Sequence, residues 1–215
     1  MENPKYDFSD IENTEIPQFE SDAPLTRKRQ KNEDRMELYD WVQCLVTAIV
    51  AGILIFVFLV RIMGVIGPSM LKTLVEGDKI VVSDLFYTPK VGDIVVVEKE
   101  SFGEEPIVKR IIAEAGQTVD IDFEEGVVYV DGRKLDEPYT NTPTNIQEDF
   151  AGEVTVPEGC VFVMGDNRNS STDSRCDRIG MVDTRCIIGK VLMVLIPGNG
   201  YDGTRDWSRI GSVYR

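Results

Sequence analysis

An uninterrupted apolar run is the strongest feature in the pattern of hydrophobic and polar positions. Residues 41–60, WVQCLVTAIVAGILIFVFLV, contain no charged side chain, and only Gln43 and Thr47 are clearly polar. About 20 apolar residues form a helix long enough to cross the hydrocarbon core of a bilayer. A buried helix of a soluble domain would show a polar face at helical spacing, and this run shows none. The pattern therefore predicts a transmembrane helix within residues 37–62.

The sequence before this run indicates which kind of membrane segment it is. A cleavable signal peptide has a shorter apolar core close to the N-terminus, so the position of this run favours an uncleaved anchor. Residues 1–36 are polar and charged, which is typical of a disordered tail. The basic cluster Arg27–Arg35 precedes the run, whereas only Arg61 follows it closely. The positive-inside rule then predicts a single-pass protein of the cell membrane with a cytoplasmic tail and an extracytoplasmic C-terminal part.

After residue 62 the pattern changes to short β-branched runs separated by turn residues, which is typical of an all-β domain. Residues 63–215 are accordingly predicted to form one β-rich extracytoplasmic domain. Asp131-Gly132 predicts a hairpin turn, and residues 139–150 predict a long surface loop. The predicted strands lie in KIVVSDLF, DIVVVEK, PIVKRII, TVDIDF, VVYVDGRKL, EVTVPEG, CVFVMGD and KVLMVLIP.

The composition excludes several classes of function. The chain has no histidine, so a Ser-His-Asp triad, a Cys-His protease and the H-E-x-x-H zinc motif are impossible. A zinc site built from carboxylates and cysteines alone would be unusual, so neither a metal nor another cofactor is predicted. The formal charge of −14 argues against nucleic acid as a partner.

Without histidine, a nucleophilic serine needs another base, and two lysines are candidates for Ser69. Ser69 and Lys72 form S-x-x-K, the pattern of β-lactamases and penicillin-binding proteins. That pattern works on a helix, where positions i and i+3 share a face, but Gly77 and the strand-like run after it leave little room for one. The companion motifs S-D-N and K-T-G are missing from the sequence, so this alternative is disfavoured.

The second candidate base is Lys109, in the run PIVKRII. Side chains alternate along a strand, so Ile107, Lys109 and Ile111 share one face. If that face turns inward, desolvation lowers the pKa of the lysine towards the neutral form that a general base requires. The alternative is a surface lysine on an edge strand between two half-buried isoleucines. This segment alone leaves both interpretations open.

A third segment with potential chemistry is GDNRNSSTDSR, residues 165–175, which follows an apolar run. Its density of Gly, Asp, Asn and Ser is typical of a turn that caps its own backbone, so a plain surface loop is one interpretation. The other is a local ion-pair network among Asp166, Arg168, Asp173 and Arg175, with hydroxyls that could orient a lysine amine.

Together these segments resemble the type I signal peptidases, the bacterial leader peptidase family of membrane-bound serine proteases. The family pattern S-M-x-P-T-L is similar to residues 69–74, and G-D-I-V matches residues 92–95. K-R-I-I followed by glycine matches residues 109–112 with Gly116, and G-D-N-x-x-x-S-x-D-S-R matches residues 165–175 at every fixed position. The resemblance covers the anchor and nearly all of the chain after it.

The resemblance implies a membrane-anchored, LexA-like all-β catalytic domain that cleaves signal peptides from exported precursor proteins at the outer membrane face, through an acyl-enzyme. Ser69 would be the nucleophile and oxyanion donor, Lys109 the general base, and Ser171 the residue that orients the lysine. The implied ion-pair network is Arg110, Asp166, Asp173 and Arg175, and the implied lining of shallow substrate pockets is Val65, Met70, Leu74, Ile107 and Val108.

Two positions, Lys72 and Gln117, depart from the family pattern, and a third, Gly67, follows one subgroup of the family. Lys72 replaces the usual proline, and its charge is expected to disfavour protonation of Lys109. Gly67 lacks the hydroxyl that supplies a second oxyanion donor in some members, as in the Gram-positive-like subgroup. Gln117 follows Gly116 where the family has aspartate.

The four cysteines allow one disulfide in an extracytoplasmic domain. Cys176 and Cys186 are the two ends of an eleven-residue segment and could be bridged, which would leave Cys160 as an odd thiol, while Cys44 lies in the anchor. Bridged and unbridged pairs both remain open.

Two other functions fit parts of the sequence. A self-cleaving repressor of the LexA type has a similar Ser-Lys dyad and a related β-fold, but it needs a DNA-binding region where this chain has an anchor and an acidic tail. A non-enzymatic membrane-anchored β-domain would hydrolyse nothing and would lose nothing on substitution of Ser69.

Overall fold

The structure is a computed structural model that describes residues 23–99, 103, 105–200 and 203–213. The chain divides into two compact units, residues 1–53 and residues 54–215. In the described part of the first unit, every residue belongs to one long helix, α1, Ala23–Leu59. Within α1, Met36–Leu54 is a 19-residue stretch that is long and apolar enough to cross a membrane. The prediction of one apolar N-terminal helix is thus confirmed.

The limits of this helix correct two predicted boundaries. Residues 23–36 were expected in the disordered tail but are helical, because Arg, Lys, Gln and Glu are good helix formers and extending a helix needs no new nucleus. At its other end α1 stops at Leu59, and Arg61 and Ile62 belong to the first strand instead of the anchor. The remainder of the predicted tail, residues 1–22, lies outside the described residues.

After the end of α1 the regular structure of the second unit is almost entirely β-strand, as the sequence predicts, and each of the eight predicted runs contains a strand. Three further strands, β1, β10 and β12, are too short or too polar to stand out in the sequence pattern. The strands are β1 Arg61–Gly64, β2 Lys79–Ser83, β3 Ile94–Val97, β4 Ile107–Glu114, β5 Thr118–Asp122, β6 Val127–Val130, β7 Arg133–Lys134, β8 Val154–Thr155, β9 Cys160–Met164, β10 Val182–Asp183, β11 Ile187–Ile196 and β12 Gly211–Ser212.

These strands form two antiparallel sheets. The larger has the order β1-β2-β11-β3-β4-β9-β10, with β12 also paired to β11, and the smaller has the order β7-β6-β5-β8. Asp131 and Gly132 join β6 to β7 with φ angles of 52° and 71°, as the predicted two-residue hairpin turn requires. Strand β4 pairs with β3 on one side and β9 on the other, so Lys109 lies on an interior strand.

Three apolar clusters fill the β-unit. The first lies between the two sheets, where Phe162 and Met164 of β9 pack with Val119 and Val128. The second contains the loop between β1 and β2 together with the inner residues of β2 and β11. The third contains residues of β3, β4 and β9, including Ile111. Lys109 therefore lies on a strand that is paired along both edges and whose neighbouring residues pack into these apolar clusters.

Candidate active site

Ser69 and Lys109 meet in space although 40 positions separate them. The Nζ of Lys109 donates a hydrogen bond to the Oγ of Ser69 over 2.9 Å. Ser69 lies in the loop between β1 and β2, whereas Lys109 lies on β4. In the sheet, strands β11 and β3 lie between β2 and β4. The fold thus pairs a candidate nucleophile with the more distant of its two candidate bases.

Lys109 is only 3% exposed, so the surface-lysine interpretation is wrong. Burial lowers its pKa from the ordinary 10.5 to about 8. The charges of Asp173, Glu148 and Asp166 act in the opposite direction and raise this pKa, while Arg175 lowers it further. With a pKa of about 8, about a tenth of the lysine is neutral at pH 7. The prediction of a desolvated lysine is confirmed.

Lys72 lies in a different environment. Its side chain is exposed and lines a cavity of about 260 Å³ together with Tyr139 and Arg209. The loop around it, residues 68–74, forms hydrogen-bonded turns but no regular helix. The expected charge effect on Lys109 is not seen either, because the ionised groups that shift the pKa of that lysine do not include Lys72.

The loop that carries Ser69 is fastened to the loop at residues 165–175. The backbone N–H of Asn167 donates to the carbonyl of Ser69 over 2.9 Å, and its Nδ2 donates to the carbonyl of Pro68 over 3.1 Å. The hydroxyl of Thr73 donates to the carboxylate of Asp166. Sequence reasoning did not assign these roles to Asn167 and Thr73, although both lie inside the matched motifs.

Gly165 is required because the two loops approach each other at its α-carbon. A Cβ at this position would lie 2.2 Å from the Oγ of Ser171 and 2.5 Å from the carbonyl oxygen of Ser69. Both distances are far below van der Waals contact, so any side chain here would push the loops apart. The glycine of the G-D-N motif is explained by this close approach.

The predicted ion-pair network consists of two separate buried pairs. Arg110 donates from Nε and Nη2 to the carboxylate of Asp166, each over 2.7 Å. Arg175 donates in the same two-pronged way to Asp173 over 2.8 Å and 2.9 Å. Both carboxylates are fully buried, so removing either arginine would leave an unpaired buried charge. One pair is next to Lys109 in the chain and the other is two residues from Ser171, so the pairs fix the backbone at both places.

A third buried arginine, Arg168, was expected in an ion-pair network with Asp166 and Asp173, but its partner is Glu137, outside the segment 165–175. Arg168 donates to both carboxylate oxygens of Glu137 and to the hydroxyl of Thr144. The bond to Thr144 attaches the loop at residues 139–150, predicted as a long surface loop, to the segment 165–175.

Ser171 lies at the centre of this arrangement. Its hydroxyl donates to Oδ2 of Asp173 over 2.9 Å, and the backbone N–H of Gly165 donates to the same oxygen over 3.0 Å. Ser171 therefore contacts a carboxylate that acts on Lys109. Its orienting role towards the amine stays a prediction.

Comparison with known proteins assigns the chain to a family. The model of the family described as signal peptidase, peptidase S26, matches residues 38–196, most of the 215-residue chain. The chain belongs to this family. It is therefore an enzyme, a serine protease of signal-peptide processing, and the repressor and non-enzymatic alternatives are set aside.

Two individual relatives agree with this assignment, and one solved structure is also similar to the chain. The chain is 36% identical over 182 residues to a probable signal peptidase I-1 of Synechocystis sp., covering 80% of this chain and 86% of that one. It is 34% identical over 186 residues to signal peptidase I of Bacillus licheniformis, covering 81% and 97%. A crystal structure of a signal peptidase I from Enterococcus faecalis V583 is 28% identical, with a TM-score of 0.41, and covers 48% of this chain and 97% of its own.

The predicted pocket residues of this signal peptidase do not all lie together. Val65, Met70 and Leu74 are buried in the second apolar cluster, and Val108 packs against it. Ile107 packs instead against the third cluster, because neighbouring residues of β4 point to opposite sides of the sheet. Their role in substrate binding stays a prediction.

Of the two alternatives left open for Cys176 and Cys186, the structure has the unbridged one, because both are free thiols. Cys176 is buried in a turn, and its backbone N–H donates to the carbonyl of Asp173. Cys186 packs against the third cluster just before β11. Each is fixed by its own surroundings. Cys160 and Cys44 are also free.

In the described residues of the signal peptidase, no group of three or more Cys, Asp or Glu is arranged to hold a metal ion.

Proposed function

We propose that this signal peptidase cleaves N-terminal signal peptides from exported precursors by a dyad of Ser69 and Lys109. The observation that carries the proposal is the 2.9 Å hydrogen bond between Lys109 Nζ and Ser69 Oγ, at a lysine whose pKa is lowered to about 8. A serine is a weak nucleophile unless a neighbouring base takes its proton, and a buried neutral amine is such a base.

In the proposed reaction, neutral Lys109 takes the proton of the Ser69 hydroxyl while Oγ attacks the carbonyl carbon of the scissile bond. The oxyanion that forms accepts a hydrogen bond from the backbone N–H of Ser69, a contribution of about 3–4 kcal/mol in other enzymes. This assignment is supported by the hydrogen-bonding pattern, since among the described residues the Ser69 N–H has no other acceptor.

The protonated Lys109 then gives its proton to the leaving amine of the mature protein, and the signal peptide stays bound to Ser69 as an ester. In the second half, Lys109 takes a proton from water while the water oxygen attacks the ester carbon. The bond to Ser69 Oγ then breaks, Lys109 returns the proton to this oxygen, and the signal peptide leaves as a carboxylic acid that ionises in water. The same lysine therefore acts as base and then as acid in each half of the reaction. Asp173, through Ser171 and its own charge, is proposed to keep the amine aligned for each transfer.

The membrane arrangement belongs to the same proposal. Residues 1–36 are proposed to be cytoplasmic, the apolar stretch of α1 to span the bilayer once, and residues 63–215 to be extracytoplasmic. The basic cluster Arg27–Arg35 supports this orientation. The anchor would then hold the dyad at the outer face of the cell membrane, where the end of a signal peptide emerges.

The substrate is proposed to bind as an extended strand, with small side chains of Ala-x-Ala type in shallow apolar pockets. Val65, Met70, Leu74, Ile107 and Val108 remain the candidates for lining these pockets. Larger side chains would be rejected because the core residues behind the pockets cannot move aside.

The proposal is tested by precursor cleavage with the full-length protein in detergent micelles. The unchanged protein should release the signal peptide, Ser69→Ala should release none, and Ser170→Ala, an exposed serine of the neighbouring loop, should behave as unchanged. Denaturing the unchanged protein during turnover should recover Ser69 as an ester of the signal peptide. Full activity of Ser69→Ala would overturn the dyad.

A further inference from the structure

The chain returns near its C-terminal end to the loop that carries Ser69. Arg209 forms a two-pronged ion pair with Asp78, which lies 131 positions earlier: Nη1 donates to Oδ1 over 2.8 Å, and Nη2 donates to Oδ2 over 2.6 Å. Arg209 lies beyond residues 38–196, the part of the chain that matches the family model. The pair therefore joins a residue outside the matched part to the segment that follows the nucleophile.

The carboxylate of Asp78 also binds the backbone on both sides of this junction. It is fully buried, and besides the two bonds from Arg209 its Oδ2 accepts from the N–H of Val75 over 2.8 Å. Its Oδ1 accepts from the N–H of Gly198 over 2.7 Å. A buried carboxylate needs such compensation for the water it has lost. Without the guanidinium it would be a buried charge with no cation, and the backbone around it would have to shift or admit water.

The two segments touch closely at this junction. A Cβ on Gly198 would lie 2.2 Å from the carbonyl oxygen of Glu76 and 2.7 Å from the backbone nitrogen of Asp78. Arg209 itself ends a short turn, in which the carboxylate of Asp206 accepts from the N–H of Ser208 over 2.9 Å. Strand β12 then pairs with β11. The guanidinium is thus presented to the loop from a backbone that is fixed on both sides.

Thr73 connects this ion pair to the dyad. The Nη2 of Arg209 also donates to the carbonyl of Thr73 over 3.2 Å. The hydroxyl of the same threonine donates to Asp166, whose carboxylate is paired with the arginine next to Lys109. Thr73 is only four residues after Ser69. Two buried carboxylates therefore hold this loop, one paired beside the base and one paired with the C-terminal segment.

We propose that Arg209 is a positioning residue of this protease. Through Asp78 and the carbonyl of Thr73, it fixes the loop that carries the Ser69 hydroxyl. It thereby keeps Oγ within hydrogen-bond distance of Lys109 Nζ, and it exchanges no proton with either group. This inference rests on the proposed dyad.

The first test compares the kinetics of Arg209→Gln and Arg185→Gln in the full-length protein in detergent micelles. Arg185 forms the same two-pronged pair with Asp183, but on the surface, where the loss of a pair changes little. In Arg209→Gln, kcat for precursor cleavage should fall about tenfold with KM within about twofold, because a displaced serine reacts more slowly while binding is kept. A loss of kcat no larger than the unfolded fraction in denaturant titration would mean a merely structural role.

The second test reads the closeness of the two reacting groups from the acidity of a thiol. In Ser69→Cys the ammonium of Lys109 should stabilise the thiolate and lower the pKa of the thiol. The rate of alkylation against pH gives this pKa, and mass spectrometry of the peptide containing residue 69 separates it from the four native cysteines. Adding Arg209→Gln should raise the pKa of the thiol by about half a unit or more, because the loop carries it away from the amine.

Asp78→Asn separates positioning from the charge of the arginine itself. By charge alone, removing a cation raises the pKa of a thiol and removing an anion lowers it. If Arg209 acts by holding the loop, Arg209→Gln and Asp78→Asn both raise the pKa of the thiol, and so does the double variant. The double variant leaves no unpaired buried charge, so it decides the question even if a single variant does not fold.

The outcomes distinguish this inference from the dyad. Opposite shifts in the two single variants would show an effect of charge alone and overturn the proposal, and an unmoved pKa of the thiol in the double variant would overturn it too. Lys109→Met should raise the pKa of the thiol in Ser69→Cys. If it does not, the dyad fails and the role of Arg209 with it, whereas a shift with Lys109→Met and none with Arg209→Gln contradicts Arg209 alone.

Discussion

Lys72 and Lys109 carry the same side chain and are both close to Ser69, one along the chain and one in space. Lys72 is three residues away, exposed in a loop. Lys109 is forty residues away, yet it hydrogen-bonds to Ser69 and is buried on an interior strand, where burial lowers its pKa to about 8. The comparison teaches that a lysine becomes a base through desolvation by the surrounding fold, and that nearness in sequence contributes nothing to it.

The largest expected effect comes from removing each lysine in turn. Lys109→Ala should lower kcat/KM for precursor cleavage by about a thousandfold, the usual range for loss of a general base, because Ser69 then keeps its proton. Lys72→Ala should stay within about threefold, since a surface side chain rarely contributes more than a few tenths of a kcal/mol. Steady-state kinetics with a purified precursor measures both. A dependence on Lys72 with an active Lys109→Ala enzyme would reinstate the S-x-x-K interpretation.

The next effect comes from separating the two loops that hold Ser69 near Lys109. Gly165→Ala places a methyl group 2.2 Å from Ser171 Oγ and 2.5 Å from the Ser69 carbonyl, so the loops must shift. A displacement of about 1 Å at a reacting group costs about a hundredfold in rate, which is the expected loss.

The matched control for Gly165→Ala is Gly64→Ala. A Cβ at Gly64 meets only the flexible end of Lys79, at 3.0 Å, and that side chain can move aside. Activity close to that of the unchanged enzyme is expected. Equal activity of the two variants would show that the close approach at Gly165 is not needed for catalysis.

The smallest effect concerns stability. The unfolded chain binds a proton at Lys109 below pH 10.5, but the folded protein binds it only below about pH 8. The native state of the unchanged protein is therefore penalised at neutral pH, and its stability rises as the pH rises from 8 to 10.5. Lys109→Met removes the penalty and should stabilise the protein by about 3 kcal/mol at pH 7.

This gain should shrink towards zero as the pH approaches 10.5, measured as the free energy of unfolding in denaturant titrations at several pH values. Lys72→Met is the control and should show no such pH-dependent gain. The raised pKa of the half-buried Tyr139 lowers stability at higher pH in all the proteins alike, so the difference between variants isolates the lysine. A constant gain at every pH would mean that Lys109 is not titrating.

The elements that the sequence predicted well are those with a strong local pattern. The eight β-branched runs and the Asp131-Gly132 turn are found where the alternation and the turn residues indicate them. Strands β10 and β12 have two residues each, too few for any alternation, and form only because β9 and β11 lie beside them. The N-terminal end of α1 was missed because the charged residues before the apolar run suggested a tail.

In the candidate site, the motifs indicated the chemical groups but not all of their contacts. Asn167 and Thr73 lie inside recognised motifs, yet their bonds to the opposite loop depend on a spatial meeting that no local pattern encodes. Arg209 belongs to no recognised motif and meets Asp78 from 131 positions away. The free Cys176 and Cys186 depend likewise on packing, because spacing permits a bridge without requiring one.

By itself, the sequence determined that a serine of this protein could not be activated by histidine and that a lysine was the available amine base. It also determined the apolar anchor, because about 20 uncharged residues have the length of a bilayer whatever surrounds them. Only the tertiary structure decided between the two lysines. The pKa of an amine depends on how much water and which charges surround it, and these were supplied by strands and loops far from Lys109 in the chain.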